Sequence, residues 1–187
     1  MEVELKFLIE ETSKLEEYLK SLSKTQLLEI LDIYFDDENF HLLNLYNFAL
    51  RLRKENSKFF ITMKRKLNES KEVFKRIEIE KEITHSLYEK MKRSSFYFCF
   101  EDIKLKVFPR ISVFSKRKLF TIEDMKVSID RVIFNDSVFM DFLEIEGDEE
   151  KILNFSKELK LKFNLLKWDL SKLDTALKFS HVKTIST

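Results

Sequence analysis

Several short stretches of this chain carry charged residues at alternate positions. Glu2, Glu4 and Lys6 alternate with Val3, Leu5 and Phe7. Arg51 and Arg53 alternate with Leu50 and Leu52. Thr62, Lys64 and Lys66 share one parity, Arg76, Glu78, Glu80 and Glu82 share another, and Glu144 pairs with Glu146. Asp130 stands in the middle of an apolar run. Successive side chains of a β-strand point to opposite faces, so each set occupies one face. Opposite it lie Val, Leu, Ile or Phe. The charged faces are also sorted, some acidic and some basic, with few neutral polar residues among them.

Charge type decides what such faces can do. Arginine forks grip phosphate oxygens bidentately. Paired carboxylates hold Mg2+ or Mn2+, hard ions that prefer oxygen. Bases beside acids therefore suit a polyphosphate that carries divalent cations. If the faces meet inside a closed barrel, the interior must be a wet tunnel, because burying an unpaired ion costs on the order of several kcal/mol. An open sheet with salt-bridge ladders on its outer face is the other arrangement the pattern allows.

The elements that would position these residues can be read in order. Residues 2–9 predict a strand. Residues 11–22 predict an amphipathic helix, with Leu15, Tyr18, Leu19 and Leu22 at helical spacing and Thr12 or Ser13 as its cap. A strand at 26–36 is followed by a loop at 37–46. Strands at 48–54 and 58–66 form a hairpin about Asn56-Ser57. Another strand covers 73–82, and a helix capped by Thr84 or Ser86 runs to Arg93. The stretch 95–123, with the lone Pro109, holds one or two strands. Strands follow at 126–134 and 137–147, joined by the turn Asn135-Asp136-Ser137. Helices at 148–160 and 169–180 end the pattern. About eight strands and four helices, linked mostly by short turns, predict an antiparallel α+β architecture in a single domain over 1–187.

Composition narrows the function class. The 34 Lys and Arg balance 33 Asp and Glu, so no global field draws nucleic acid. Hydrophobic residues make up 44% and Phe alone numbers 19, enough for a sizeable core. No apolar stretch is long enough to span a membrane, and no signal peptide is visible. The single cysteine, Cys99, lies in the run Phe96-Tyr97-Phe98-Cys99-Phe100 and reads as a packing residue. With no intrachain disulfide available, a cytoplasmic protein is expected. No His or Cys cluster points to zinc.

The motifs EVELK at 2–6, DIYFD at 32–36, ALRLR at 49–53, TMK at 62–64, RIEIE at 76–80, SKR at 115–117 and LEIEG at 143–147 occur in this order. Together they resemble the CYTH superfamily, the triphosphate tunnel metalloenzymes, which include class IV adenylyl cyclases, thiamine triphosphatases and inorganic triphosphatases. The resemblance implies an eight-stranded antiparallel closed β-barrel with peripheral helices. It implies that Glu2, Glu4, Glu144, Glu146 and Asp130 are metal-binding acids, with Glu78 and Glu80 helping to hold the metal or order the bases. It implies that Lys6, Arg51, Arg53, Lys64, Arg76 and Arg117 bind triphosphate. Lys6 and Tyr34 match residues that assist water activation in some family triphosphatases. The chain departs from the family at Asn47 and at Arg65-Lys66-Leu67, where glycines are usual. Strand parity allows either Arg117, or Lys116 with Lys118, to face inward, and Arg110 is a further candidate.

The expected function is metal-dependent hydrolysis of a triphosphate such as inorganic triphosphate, ATP or thiamine triphosphate, with Mg2+ or Mn2+ as cofactor. A class IV adenylyl cyclase, with Tyr34, Phe35, Phe40 and His41 about an adenine mouth, is the alternative. A non-catalytic polyphosphate or nucleotide binder is a third. A monomer or homodimer is expected, with neither nucleic acid nor membrane as partner.

Overall fold

The structure is a computed structural model that describes residues 2–67, 73–134 and 138–180. The turn Asn135-Asp136-Ser137, His181 and the tail 182–187 lie outside the described residues. The chain runs β1 (Glu2–Ile9), α1 (Thr12–Leu22), β2 (Thr25–Asp36), α2 (His41–Asn44), β3 (Phe48–Glu55), β4 (Lys58–Leu67) and β5 (Phe74–Glu82). It continues α3 (His85–Met91), β6 (Phe96–Phe100), β7 (Ile103–Ile122), β8 (Met125–Phe134), β9 (Val138–Glu146), α4 (Glu149–Lys162), β10 (Leu165–Lys167) and α5 (Lys172–Ser180).

Eight of these strands close into a barrel in the order β1-β5-β4-β3-β2-β7-β8-β9, and β9 returns to β1. Every pairing is antiparallel. The seam is uneven. β1 pairs with β5 only over Glu2–Glu4, but with β9 from Glu4 to Leu8. The expected closed barrel is therefore present, with more elements around it than the sequence suggested. Ten strands and five helices occur among the described residues. The additions are α2, inside the expected loop at 37–46, and β10, which pairs with Phe7–Ile9 on the edge of β1 that β5 leaves after Glu4.

Because much of the lumen is charged, two of the three apolar clusters lie outside the barrel wall. Val3, Leu5 and Phe7 of β1 pack with Leu15 and Leu19 of α1 and with Ile152 and Leu159 of α4. A second cluster joins Ile33, Leu50 and Leu52 to Leu42, Tyr88 and Phe98, beneath α2, α3 and β6. The third lies on the inner face: Val132, Phe134 and Phe142 share the parity of Asp130 and Glu144, and with Tyr34 they pack against Leu173 and Ala176 of α5. Each fully buried aliphatic or aromatic side chain contributes roughly 1.5–3 kcal/mol.

Local chemistry explains several boundaries. Asn56 takes a left-handed backbone (φ 50°), a conformation asparagine tolerates, and its side chain accepts from Glu29 N at 2.9 Å. Gly147 is needed for close approach, since a Cβ there would stand 3.1 Å from Met125 Cγ. β7 bends at Pro109. The ladder to β2 shifts between Tyr34 and Phe35, which leaves Arg110 as the extra residue. That shift reverses the alternation and explains why 95–123 was ambiguous; it holds two strands, β6 and β7.

Two smaller expectations are corrected. The N-cap of α1 is Glu11, with no side-chain cap bond, and Thr12 and Ser13 lie inside the helix. Cys99 is exposed. Its strand, β6, pairs only with β7, so Tyr97 and Cys99 alternate outward while Phe98 packs inward. Thr84 does cap α3, accepting from Leu87 N.

Candidate active site

The barrel encloses a cavity of about 420 Å³. Its wall is built from the alternating residues. β1 supplies Glu2, Glu4 and Lys6; β3 supplies Arg51 and Arg53; β4 supplies Lys64 and Lys66; β5 supplies Arg76, Glu78 and Glu80. The other side carries Arg117, Lys126, Ser128, Glu144 and Glu146, with Tyr34 from β2. Lys172 and Asp174 reach in from the start of α5. Nine cationic side chains and eight carboxylates line the space.

On one side the cations lean on β2 and β5. Arg53 donates to Asp32 through Nε at 2.7 Å and a terminal nitrogen at 2.9 Å. Arg51 lies 3.6 Å from Asp32 and donates to the Thr62 hydroxyl, which donates to Glu80 at 2.8 Å. Lys64 bridges Glu2 (2.6 Å) and Glu78 (3.2 Å). Arg76 reaches Glu4 at 3.3 Å. Burial opposes ionisation of Asp32, but the charges of Arg51 and Arg53 hold its carboxyl well below the usual range.

On the other side Glu144 is the shared anion. It lies 2.6 Å from Arg117, 3.1 Å from Lys6 and 3.5 Å from Lys172. Burial disfavours its charge, yet Lys172, Lys6 and Arg117 together keep its carboxyl well below the usual range. Asp130 accepts two bonds from Arg117, at 2.7 and 2.6 Å, and one from Lys172 at 2.5 Å. Burial lowers the Lys172 ammonium against the pull of these carboxylates. Burial raises the Glu146 carboxyl, and the nearby Glu2 adds to the effect.

The inward residue of the SKR motif is Arg117. Lys116 faces Glu29 in solvent, and Lys118 pairs with Glu16 on α1. Arg110 stacks on the rings of Phe40 and Phe108 instead of entering the cavity. Lys6 and Tyr34 both line the space, but Lys6 is turned to Glu4 and Glu144. Burial, with Asp32 alongside, pushes the Tyr34 hydroxyl up to about 12, so it is a proton donor at neutral pH. Of the four residues expected at an adenine mouth only Tyr34 faces the cavity. Phe35 packs in the outer core, Phe40 lies under Arg110, and His41 binds Asp37.

Lys126, Lys172 and Asp174 in the lining, and Asp32 behind it, escaped the sequence reading. Asp32 shares the parity of Tyr34 in DIYFD, so alternation could have found it. Lys172 sits on a helix, where strand parity says nothing. Its only local signal is the cap formed by Ser171 and Asp174.

The acids fit a hard divalent cation in one respect. Glu2 Oε2 and Glu4 Oε1 are buried and accept no hydrogen bond. Lys6 stands 3.6 Å from the Glu4 oxygen and Arg76 4.0 Å from the Glu2 oxygen, too far for a hydrogen bond, so each atom keeps a lone pair that a closer cation could take. Among the described residues no three acidic, His or Cys side chains are already gathered about one point, so Glu2, Glu4 and Glu146 would have to rotate toward a shared ion.

The profile of the CYTH domain matches residues 1–176. No curated protein sequence matches. Solved structures share the fold. HpAC1 from Hippeastrum, a candidate adenylyl cyclase with a dominant triphosphatase activity, is 17% identical, with a TM-score of 0.77 and 96% of each chain covered. PH1819 from Pyrococcus horikoshii is 24% identical, with a TM-score of 0.65 over 96% of this chain and 99% of its own. A candidate adenylate cyclase from Bacillus halodurans is 16% identical, with a TM-score of 0.69 over 100% and 98%. No helix among the described residues is long and apolar enough to cross a membrane.

Proposed function

The chain belongs to the CYTH domain family, and on that footing we propose that it hydrolyses a linear triphosphate within its tunnel, using Mg2+ or Mn2+. Family members act on triphosphates, as triphosphatases or cyclases. One observation carries the reading. The cavity pairs nine cations with two carboxylates, Glu2 and Glu4, that each keep a buried oxygen unbonded. A plain anion binder would need the cations, and acids to hold them, but would gain nothing from leaving those two oxygens unbonded.

In this reading Lys6, Arg51, Arg53, Lys64, Arg76 and Arg117 hold the phosphoryl oxygens, and Lys172 joins them. Glu2 and Glu4, with Glu146 beside them, hold the divalent ion, and Glu78, Glu80 and Glu144 keep the bases in place. When bound, the ion supplies charge neutralisation and a lowered pKa for water. Phosphoryl transfer depends more on positioning and neutralisation than on covalent chemistry. The fixed guanidinium groups are therefore set to stabilise charge growing on the leaving diphosphate. Tyr34 stays protonated and donates. Water adds to a terminal phosphorus, the anhydride P–O bond breaks, and orthophosphate and diphosphate leave.

The test is a product assay with Mg2+ or Mn2+ on inorganic triphosphate, ATP and thiamine triphosphate in parallel. Orthophosphate release, fastest from inorganic triphosphate, is the expected result. Cyclic AMP and diphosphate from ATP would replace hydrolysis with cyclisation.

A further inference from the structure

We infer that Asp32 and Asp130 are positioning residues: each is a buried counter-anion that clamps two phosphate-binding cations, and neither ligates the divalent ion. The inference rests on the tunnel taking a triphosphate. It departs from the family-based expectation that Asp130 is a metal acid.

The two aspartates are built alike. Each sits directly across a strand pair from the arginine it holds, Asp32 opposite Arg53 and Asp130 opposite Arg117. Each takes that arginine side-on, through Nε and one terminal nitrogen, at 2.6–2.9 Å. Each then meets a second cation. Arg51 stands 3.6 Å from Asp32, and Lys172 stands 2.5 Å from Asp130. Their exposures are 1% and 0%. Neither is among the residues lining the cavity, whereas all four of their cations are.

Side-on pairing uses two of the five guanidinium N–H donors and fixes the plane of the fork. Arg117 spends a further donor on Glu144, and the donors that remain on each fork are left for a ligand in the lumen. Asp130 already accepts three charged bonds and turns no face to the cavity. Glu2 and Glu4 are the opposite case, lining the cavity with one oxygen unbonded on each. The acids thus divide into a pair on the inner wall, sealed from the cavity, that holds bases and a lining set that remains available to a cation.

Asp32→Asn and Asp130→Asn test this beside Glu4→Gln. Calorimetry with Mn2+ alone should give both Asn variants an affinity within about twofold of the parent, while Glu4→Gln loses binding. Calorimetry with inorganic tripolyphosphate in EDTA should show each Asn variant weakened about ten- to a hundredfold, because misplaced forks lose their grip. A general loss of structure would lower both affinities together. Should an Asn variant fail to fold, Arg53→Lys and Arg117→Lys keep the charge while breaking the side-on pair, and should weaken tripolyphosphate alone. Adding Asp32→Asn to Arg53→Lys should then cost less than Asp32→Asn costs alone, since the two share the Arg53 contact and only the Arg51 contact is left to lose. Loss of Mn2+ binding in Asp130→Asn, or additive effects of Asp32→Asn and Arg53→Lys, would overturn the inference. Full tripolyphosphate affinity in the Asn variants would do the same and leave the functional reading intact. A parent that binds no tripolyphosphate would sink both.

Discussion

Glu144→Gln removes the one carboxylate that three tunnel cations share. Glu144 is 8% exposed and lies within 3.5 Å of Arg117, Lys6 and Lys172. Deleting one member of a buried ionic network costs about 3–5 kcal/mol, because the remaining charges stay desolvated without their partner. For a chain of this size each kcal/mol moves Tm by roughly 2–4 °C, so a fall of about 6–20 °C is expected at pH 7. The deficit should shrink as pH rises. Burial already lowers the Lys172 ammonium, so the unfolded chain binds more protons there, and stability climbs with pH in that window. Inorganic tripolyphosphate should restore more. At a hundred times its dissociation constant a ligand adds about 2.7 kcal/mol, and the variant, with unneutralised cations, should gain more than the parent. The assay is a metal-free thermal melt followed by near-UV circular dichroism, with and without tripolyphosphate. A Tm within about 2 °C of the parent, or a larger tripolyphosphate gain in the parent, would refute this account of the network.

Glu2→Gln and Glu4→Gln should each lower phosphate release at least about a hundredfold while tripolyphosphate binding in EDTA persists; parental turnover in both would remove the metal role of β1. Tyr34 is pushed up to about 12, above its value in the unfolded chain, so its contribution to stability is present below pH ~10 and lost as pH climbs through 12. Ultraviolet titration should find two tyrosines, Tyr34 and the buried Tyr88, whose ionisation is delayed, and one fewer in Tyr34→Phe, which should leave the alkaline limb of the rate profile in place; a shifted limb would make Tyr34 a base. Asp32 and Glu144 lie below the ordinary carboxylate range when folded, so their stabilisation is present above pH ~4 and lost as pH falls further. The parent's Tm should therefore drop steeply below pH ~4, and equal acid slopes in the parent and Asp32→Asn would contradict the pairing of Asp32 with its arginines.

Much of the site was legible because a strand has a side-chain period of two. Once Glu2 and Glu4 were assigned to one face, parity alone grouped Arg51 with Arg53 and Arg76 with Glu78 and Glu80, and the structure gathers all of them around one cavity. What parity could not supply is what depends on contacts far apart in sequence. The choice between Arg117 and its lysine neighbours is settled by β8, whose Asp130 stands opposite Arg117. The bulge at Pro109 reverses the alternation within β7, so its early half could not be extrapolated from its late half. Cys99 looked buried because its neighbours are aromatic, yet a strand paired only with β7 can show one face to solvent.

Lys172 escaped for a deeper reason, which also explains why helices are present at all. A charged lumen reverses the usual barrel, so most apolar strand residues point outward and need a cover. The helices α1 and α4 cover β1, and α3 lies over β4 with β6 beside it, whereas α5 packs on the inner faces of β8 and β9. Where cover runs out, on the outer face of β5, Ile77 and Ile79 remain 44% and 52% exposed. The start of α5 enters the barrel. Leu173 and Ala176 pack against the apolar part of the inner wall, while Lys172, at its first turn, binds Asp130 and Glu144. An apolar helix face predicts the covering in any sequence, but only the three-dimensional course of the chain decides which residue of its first turn meets the tunnel. Moving that lysine one position along α5 would rotate it about 100° from the two carboxylates. A lysine restored at position 173 in Lys172→Leu should therefore fail to recover tripolyphosphate binding.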